Sequence, residues 1–213
     1  MDKSNWLDLM SVLNFDSHLD EFERIQQSYN QKHLHYHNAT HIADCLEKAS
    51  LIEATRDNPV LKLAIWYHDI VYWPTKSDNE KQSAIQAINF LSKQDAPSSI
   101  KTRVYDLILA TIHKYTPMND EQAYIMDIDI SILGAEQKDY KTYCERIRKE
   151  YIVVPWFLYR RKRLKIMRSF LQREQLYFTD FYRGRFEDNA RLNIEQEIMD
   201  LEKQKSNPFS FKV

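Results

Sequence analysis

The sequence predicts an all-α protein, and two observations carry this prediction. Gly134 and Gly184 are the only glycines among 213 residues, whereas a sheet protein of this length needs many more to turn its hairpins. Apolar residues also recur three and four positions apart, as in Phe22, Ile25 and Tyr29, which is the spacing of one helix face. We therefore expect a bundle of roughly ten helices.

Residues that favour helix N-termini divide the chain into these helices. Short polar side chains cap a helix by accepting hydrogen bonds from its exposed backbone amides. The predicted N-caps are Asp16, Asn38, Asn58, Asp78 and either Ser98 or Ser99. Pro155 fits the first turn of a later helix, and Asn207-Pro208 is expected to close the last one. Because no repeat, low-complexity block or linker interrupts the chain, the sequence predicts a single domain over residues 1–213.

Composition excludes several classes of protein. Lys and Arg total 30 against 31 Asp and Glu, so the overall charge argues against a nucleic acid partner or an anionic membrane surface. Cys45 and Cys144 lie far apart and lack metal-type spacing, which favours a reducing compartment without disulfides. The chain starts without the apolar core of a signal peptide, and no apolar run could cross a bilayer. These features predict a soluble, cytoplasmic protein.

Two histidines, His37 and His41, are the first candidates for chemistry. If both lie at the start of the helix capped by Asn38, they project from one face and could serve one metal ion, or a metal ion and a substrate oxygen. The alternative is a solvated loop, because the preceding tract, residues 33–37, is rich in histidine and such tracts are weak signals.

A vicinal pair, His68-Asp69, lies in the strongly apolar segment from Leu61 to Trp73. Burying these two side chains there costs free energy unless they are paired or bound to a cation. A metal ion would remove that cost. The alternative is a helix end at which local hydrogen bonds satisfy both side chains.

Two carboxylates, Asp127 and Asp129, flank Ile128 in another apolar stretch. Residues two apart on a helix point in different directions, so we expect only one of them to ligate an ion. The other is expected to have a structural role.

The order of these motifs resembles the HD-domain metal-dependent phosphohydrolases, whose pattern is a His, a later His-Asp and a final Asp on a helical core. The resemblance implies that His41, His68, Asp69 and Asp129 bind a divalent metal ion. Such mixed imidazole and carboxylate ligands suit Mn, Fe, Zn, Ni or Co, with Mg also possible.

The resemblance spans about Tyr36 to Gly134. It implies an HD-type helical domain whose metal-site core covers about residues 30–135. The C-terminal helices, residues 136–205, are expected to pack on that core.

The segment Tyr36-His37-Asn38-Ala39-Thr40-His41-Ile42-Ala43-Asp44 is similar to the Tyr-His-Asn-x-x-His-Ala-x-Asp signature of cyclic nucleotide phosphodiesterases. By that similarity His41 is the metal ligand, and His37 donates a proton to the leaving oxygen. The last carboxylate of those enzymes stands in an Ala-Asp-Leu-Ser context, which places Asp129 on the ligand position. Asp127 is then expected next to the metal ligands without binding the metal itself.

The chain departs from those phosphodiesterases after the His-Asp pair. They continue with x-x-His-Pro-Gly, whereas Tyr72-Trp73-Pro74 stands here, so the histidine that supports a second metal is missing. No late glutamine matches their purine clamp. The whole-length pattern instead resembles a small family of predicted HD hydrolases without an established substrate.

Several residues could complete the pocket. Glu80 could reach the metal or act as a base, or it could simply face the dipole of the helix that it begins. His113 could contact phosphate, or its position near a helix C-terminus could reflect the dipole alone. Asn38 and Tyr72 are expected beside the ligands. Four aromatic residues could form a surface on which a base stacks, and the alternative is that they pack in the core. They are Trp66, Tyr67, Tyr72 and Trp73.

The strongest basic cluster is the run from Arg160 to Lys165, together with Arg168. Apolar residues in and after this run recur at helical spacing: Leu164, Met167, Phe170 and Leu171. A solvated helix face with a buried apolar stripe therefore explains the run, and an RNA or phosphate contact is the alternative.

The sequence thus predicts an enzyme that hydrolyses a phosphoester of a nucleotide or other small phosphorylated metabolite. Metal-activated water attacks in line, His37 protonates the departing oxygen, and Asp69 bridges metal and nucleophile or accepts the proton. One alternative is a catalytically silent metal- or nucleotide-binding regulatory protein. Another is a basic-helix module that binds RNA or a protein partner.

Overall fold

The computed structural model describes residues 1–204, and every regular element in this range is helical, so the predicted all-α class is confirmed. One 3₁₀ helix, Ile130–Gly134, accompanies eleven described α-helices. The α-helices are, in chain order, α1 (Lys3–Val12), α2 (Leu19–Tyr29), α3 (Ala39–Leu51), α4 (Glu53–Arg56), α5 (Pro59–Tyr67), α6 (Asn79–Lys93), α7 (Ser98–Ala110), α8 (Asp120–Asp129), α9 (Gln137–Glu150), α10 (Trp156–Leu171) and α11 (Asp180–Lys203). None of these described helices combines the length and apolarity needed to span a membrane.

The chain divides into two compact units, of which the first is Met1–Asp129 and the second begins at Ile130. Helices α1 to α8 form the first unit, and the 3₁₀ helix with α9 to α11 forms the described part of the second. The single domain and the packing of residues 136–205 on the core stay predictions. The predicted helix stop at Asn207-Pro208 lies outside the described residues.

Helix α5 is the centre of the first unit. Except for Lys62, every residue from Val60 to Tyr67 is buried, and α5 packs against α1, α3, α6, α7 and α8. Its Trp66 meets Trp6 of α1 edge to face, with ring centroids 5.4 Å apart. Each large apolar side chain buried in this way contributes roughly 1.5–3 kcal/mol. Trp66 and Tyr67 are therefore core residues, and the C-terminal end of α5 is held in the interior of the unit.

Two predicted N-caps are confirmed by their hydrogen bonds. The Asn38 side chain accepts from the Thr40 amide at 2.9 Å, and that of Asn58 accepts from the Leu61 amide at 3.0 Å. Asp78 also occupies the N-cap position of α6, although its side chain does not cap that helix. The start of α3, which carries His41, is thus fixed by the sequence itself.

The other predicted starts differ from the structure by one or two residues. The N-cap of α2 is His18 rather than Asp16, because the backbone turns into the helix through a left-handed residue with φ 42°. α7 begins at Ser98 after Pro97, so neither serine caps it, and Pro155 is the N-cap of α10 rather than a member of its first turn. Both prolines have the fixed φ of their ring and an extended ψ, which ends the preceding segment directly before the helix.

The two glycines have opposite surroundings. A Cβ added at Gly134 would lie 2.5 Å from the Cβ and 2.6 Å from the carbonyl oxygen of Phe186, whereas a Cβ added at Gly184 would meet nothing within 4 Å. We expect Gly134→Ala to destabilise the second unit by about 1–3 kcal/mol. Gly184→Ala, in the second turn of α11, should stabilise the unit by about 0.5–1 kcal/mol. Urea unfolding of both variants measures the difference, and equal effects would contradict the close approach at Gly134.

Two arginines of the basic run, Arg160 and Arg163, connect α10 with α11. Arg163 is buried and its Nε lies 2.7 Å from Glu197 Oε1, while Arg160 donates to the carbonyl oxygens of Leu201 and Glu202. The interpretation of the run as a solvated face is therefore wrong for Arg163. Contacts inside the second unit account for the positions of both arginines.

Candidate metal centre

Four polar side chains of the first unit converge on one point: His41, His68, Asp69 and Asp129. One ligand atom from each lies within 4.8 Å of all the others. His41 Nε2 lies 3.3 Å from His68 Nε2 and 3.2 Å from Asp129 Oδ1, and His68 Nε2 lies 3.2 Å from Asp69 Oδ2. Ligands bound at ~2.1 Å to one ion are about 3 Å from their neighbours when they meet at right angles. This group could therefore hold a metal ion.

All four residues lie at helix ends. His41 is in the first turn of α3, His68 and Asp69 follow the last residue of α5, and Asp129 is the last residue of α8. These three helices pack on one another in pairs. The packing of α5 in the interior therefore brings together residues that are up to 88 positions apart, from 41 to 129.

A backbone hydrogen bond orients the imidazole of His68. Its Nδ1 lies 2.9 Å from the Ile65 carbonyl oxygen, which can only accept, so Nδ1 carries the hydrogen. In the neutral imidazole, the lone pair of Nε2 then points toward His41. Two imidazole nitrogens at this separation repel unless a proton or a cation lies between them, so this arrangement suits a metal ligand.

The charges of the cluster also favour a cation. Burial opposes the ionisation of Asp129, but hydrogen bonds from His113, His41 and His68 outweigh it and hold the pKa of the carboxyl well below its ordinary value. Burial opposes protonation of His68, but Asp69 and Asp129 outweigh it and raise the pKa of the imidazole well above its usual range. Two ionised carboxylates in a buried site need a nearby positive charge, which protonated His68 provides and which a divalent ion could provide in its place.

His113 contacts the carboxylate of Asp129 from the side opposite His41. Its Nε2 donates to Asp129 Oδ2 at 2.7 Å, while Oδ1 of the same carboxylate lies near His41. His113 follows α7 and has a left-handed backbone, with φ 55°. Its position thus orients Asp129 toward the cluster, and the helix dipole alone does not explain it.

We expect His113→Asn to lower metal affinity by roughly 10–100-fold, because partners that orient a ligand contribute about this much. Asparagine tolerates the left-handed backbone but cannot reach Asp129 as the imidazole does. A chelator competition assay on the variant measures the change. His35→Asn is the control, since His35 is exposed in the loop before α3. Equal affinity in both variants would contradict a role for His113 at this site.

His37 lies beside the cluster and outside the helix. It precedes the N-cap Asn38, so the condition under which it would share a helical face with His41 is not met. Its ring stacks on Tyr72 with centroids 3.7 Å apart and lies 6.0 Å from the ring of His41. Asn38 donates to the carbonyl oxygen of His35 in addition to capping α3. The structure thus separates His37 from the four candidate ligands.

The two remaining predicted carboxylates lie outside the four-residue group. Glu80 is in the first turn of α6, and burial, together with the negative charges of Asp69 and Asp129, raises the pKa of its carboxyl. Asp127 is fully buried in α8, two residues before Asp129. Of Asp127 and Asp129, only Asp129 belongs to the group that could bind a metal.

Sequence reasoning missed two residues that hold the loop after Asp69. His33 stacks on Trp73, with ring centroids 4.3 Å apart, and Asn79 exchanges two hydrogen bonds with the backbone of Trp73. No local pattern pairs His33 with a residue 40 positions later, so the sequence offered no signal.

Comparisons with models of protein families, with curated proteins and with solved structures return no match to this chain.

Proposed function

We propose that the protein is a metal-dependent phosphohydrolase of the HD type, which cleaves a phosphoester of a nucleotide or another small phosphorylated metabolite. The observation that carries this proposal is the approach of His41 Nε2 and His68 Nε2 to 3.3 Å beside Asp69 and Asp129 in a buried site. The donor set of imidazoles and carboxylates suits Mn, Fe, Zn, Ni, Co or Mg.

The four residues would hold the ion. A divalent cation bound there would supply Lewis acidity toward a water molecule and a phosphoryl oxygen. Asp69 accepts the proton of the attacking water, and His113 keeps Asp129 in its orientation through the 2.7 Å contact. Glu80, whose pKa burial raises, can carry a proton close to the cluster.

His37 is the proton donor to the leaving oxygen in this proposal. Two observations support the role: its ring lies next to that of His41, and the stack on Tyr72 fixes its plane. As imidazolium it can protonate an oxygen that departs from phosphorus at the cluster. Tyr72 acts by positioning His37.

A substrate screen on metal-loaded protein tests the proposal. Protein without an affinity tag is stripped with a chelator, reloaded with each candidate ion and incubated with phosphomonoesters, cyclic nucleotides, nucleoside triphosphates and pyrophosphates. We expect stoichiometric metal by elemental analysis and product only when metal is present. His68→Ala should lose both the bound metal and the product formation.

The outcomes separate the proposal from its alternatives. Stoichiometric metal without turnover of any substrate would favour a catalytically silent metal- or nucleotide-binding protein. Metal content that is substoichiometric and unchanged by His68→Ala would remove both metal-based functions. His37→Gln is expected to keep its metal and lose turnover, and unchanged turnover in this variant would reject His37 as the donor.

A further inference from the structure

The loop that follows Asp69 is fixed by side chains of α6. The Trp73 amide donates to Asn79 Oδ1 at 3.1 Å, and Asn79 Nδ2 donates to the Trp73 carbonyl oxygen at 3.0 Å. The Val71 amide donates to Ser83 Oγ at 3.1 Å. The backbone of Trp73 is therefore anchored on both sides although it lies outside any helix.

The indole of Trp73 is held but not buried. It stacks on the imidazole of His33 with an interplanar angle of 13°, and His33 Nε2 donates to the Tyr72 carbonyl oxygen at 3.0 Å. Trp73 nevertheless remains 49% exposed, whereas Trp6 and Trp66 are at most 1% exposed. An indole so oriented offers a flat apolar surface that gains free energy when another ring covers it.

Ring contacts lead from Tyr72, the chain neighbour of Trp73, to the metal cluster. Tyr72 is the neighbour of Trp73 in the chain, its ring stacks on His37, and His37 lies next to His41. Consecutive Cα atoms are only about 3.8 Å apart, so the backbone of Trp73 lies one residue from the Tyr72–His37 stack that leads to the cluster. A ligand with phosphate at the cluster and a planar ring a few bonds away could contact both.

We propose that Trp73, backed by His33, forms a stacking subsite for the nucleobase of a phosphorylated substrate. This inference rests on the proposed function and narrows its substrate class to nucleotides. Stacking uses the π-face that every base has, so the subsite favours nucleotides over base-free sugar phosphates without strong preference among bases.

Two matched probes test the subsite: adenosine 5′-monophosphate and ribose 5-phosphate, which differ in the base. We expect the nucleotide to bind Mn²⁺-loaded protein roughly 10-fold more tightly by calorimetry, since base stacking contributes on this scale. Where a probe is turned over, its KM replaces its Kd. In Trp73→Ala the ratio of the nucleotide affinity to the ribose 5-phosphate affinity should fall close to one, while metal content and ribose 5-phosphate affinity stay unchanged. Trp73→Phe should retain part of the preference for the nucleotide. Phe157→Ala, an aromatic of the second unit that is 68% exposed, is the control and should change nothing.

Equal affinities for the two probes, no binding of either, or a ratio that survives Trp73→Ala would overturn the subsite. So would a change in oligomeric state in Trp73→Ala without a change in the ratio, which would make the indole a protein contact. Failure of the proposed function is distinct: protein that retains no metal overturns both inferences, whereas metal-loaded protein that hydrolyses phosphoesters with equal probe affinities rejects the subsite alone.

Discussion

Asp129→Asn is expected to lower metal affinity by at least about 100-fold and to abolish hydrolysis. Residues that merely orient metal ligands contribute roughly 10–100-fold, so the loss of a directly bound carboxylate should reach or exceed the upper value. The substitution keeps the shape of the side chain and removes its charge. Asp129 Oδ1 lies 3.2 Å from His41 Nε2 and 3.5 Å from His68 Nε2, so the substitution removes a carboxylate that faces both imidazoles.

Asp127→Asn provides the matched control, because Asp127 lies in the same helix two residues earlier and outside the ligand group. Elemental analysis and chelator competition measure metal binding, and circular dichroism verifies that both variants fold. The expected pattern is loss of metal in Asp129→Asn and retention in Asp127→Asn. The reverse pattern would transfer the ligand role to Asp127 and refute the assignment.

Arg163→Met is expected to destabilise the second unit by about 3–5 kcal/mol, because it leaves Glu197 ionised and buried without its partner. Both side chains of this pair are less than 10% exposed, and Glu197 also accepts a hydrogen bond from the Tyr140 hydroxyl at 2.6 Å. Arg168→Met is the control, since Arg168 and Glu202 form an exposed pair, which contributes at most about 1 kcal/mol. Similar losses in the two variants, measured by urea unfolding, would contradict the prediction.

The same pair predicts opposite pH dependences. Burial raises the pKa of Glu197, but Arg163 outweighs it and the net shift is downward. The native pair thus contributes stability above the unfolded pKa of ~4.3, and this contribution is lost as the pH falls through the lower folded value. In Arg163→Met the Tyr140 hydrogen bond remains but the attraction of Arg163 is lost, so we expect burial to raise the folded pKa of Glu197 and the variant to gain stability as the pH falls from 7 to 5. The difference in free energy of unfolding between the native protein and Arg163→Met should therefore become smaller toward pH 5. A difference that does not change with pH would contradict this prediction.

Much of the helix pattern could be predicted from local sequence. Asn38 and Asn58 cap the helices they were expected to cap, because an N-cap depends on the residue itself and the amides that directly follow it. His18 was missed because left-handed backbone is uncommon in any residue other than glycine, and the residue type alone does not show where it occurs. Arg163 was assigned to solvent because helical spacing places residues on faces but does not show which charged side chain meets a partner from another helix.

The sequence by itself determined the helical class and the chemistry of the candidate ligands, since periodicity and residue type are local properties. Only the tertiary structure decided which of them meet. Packing of α3, α5 and α8 brings His41, His68, Asp69 and Asp129 within 4.8 Å and leaves Asp127 aside. It also directs His113 to Asp129 and His33 to Trp73. Such distances follow from how helices far apart in the chain bury their apolar faces, which short sequence motifs do not encode.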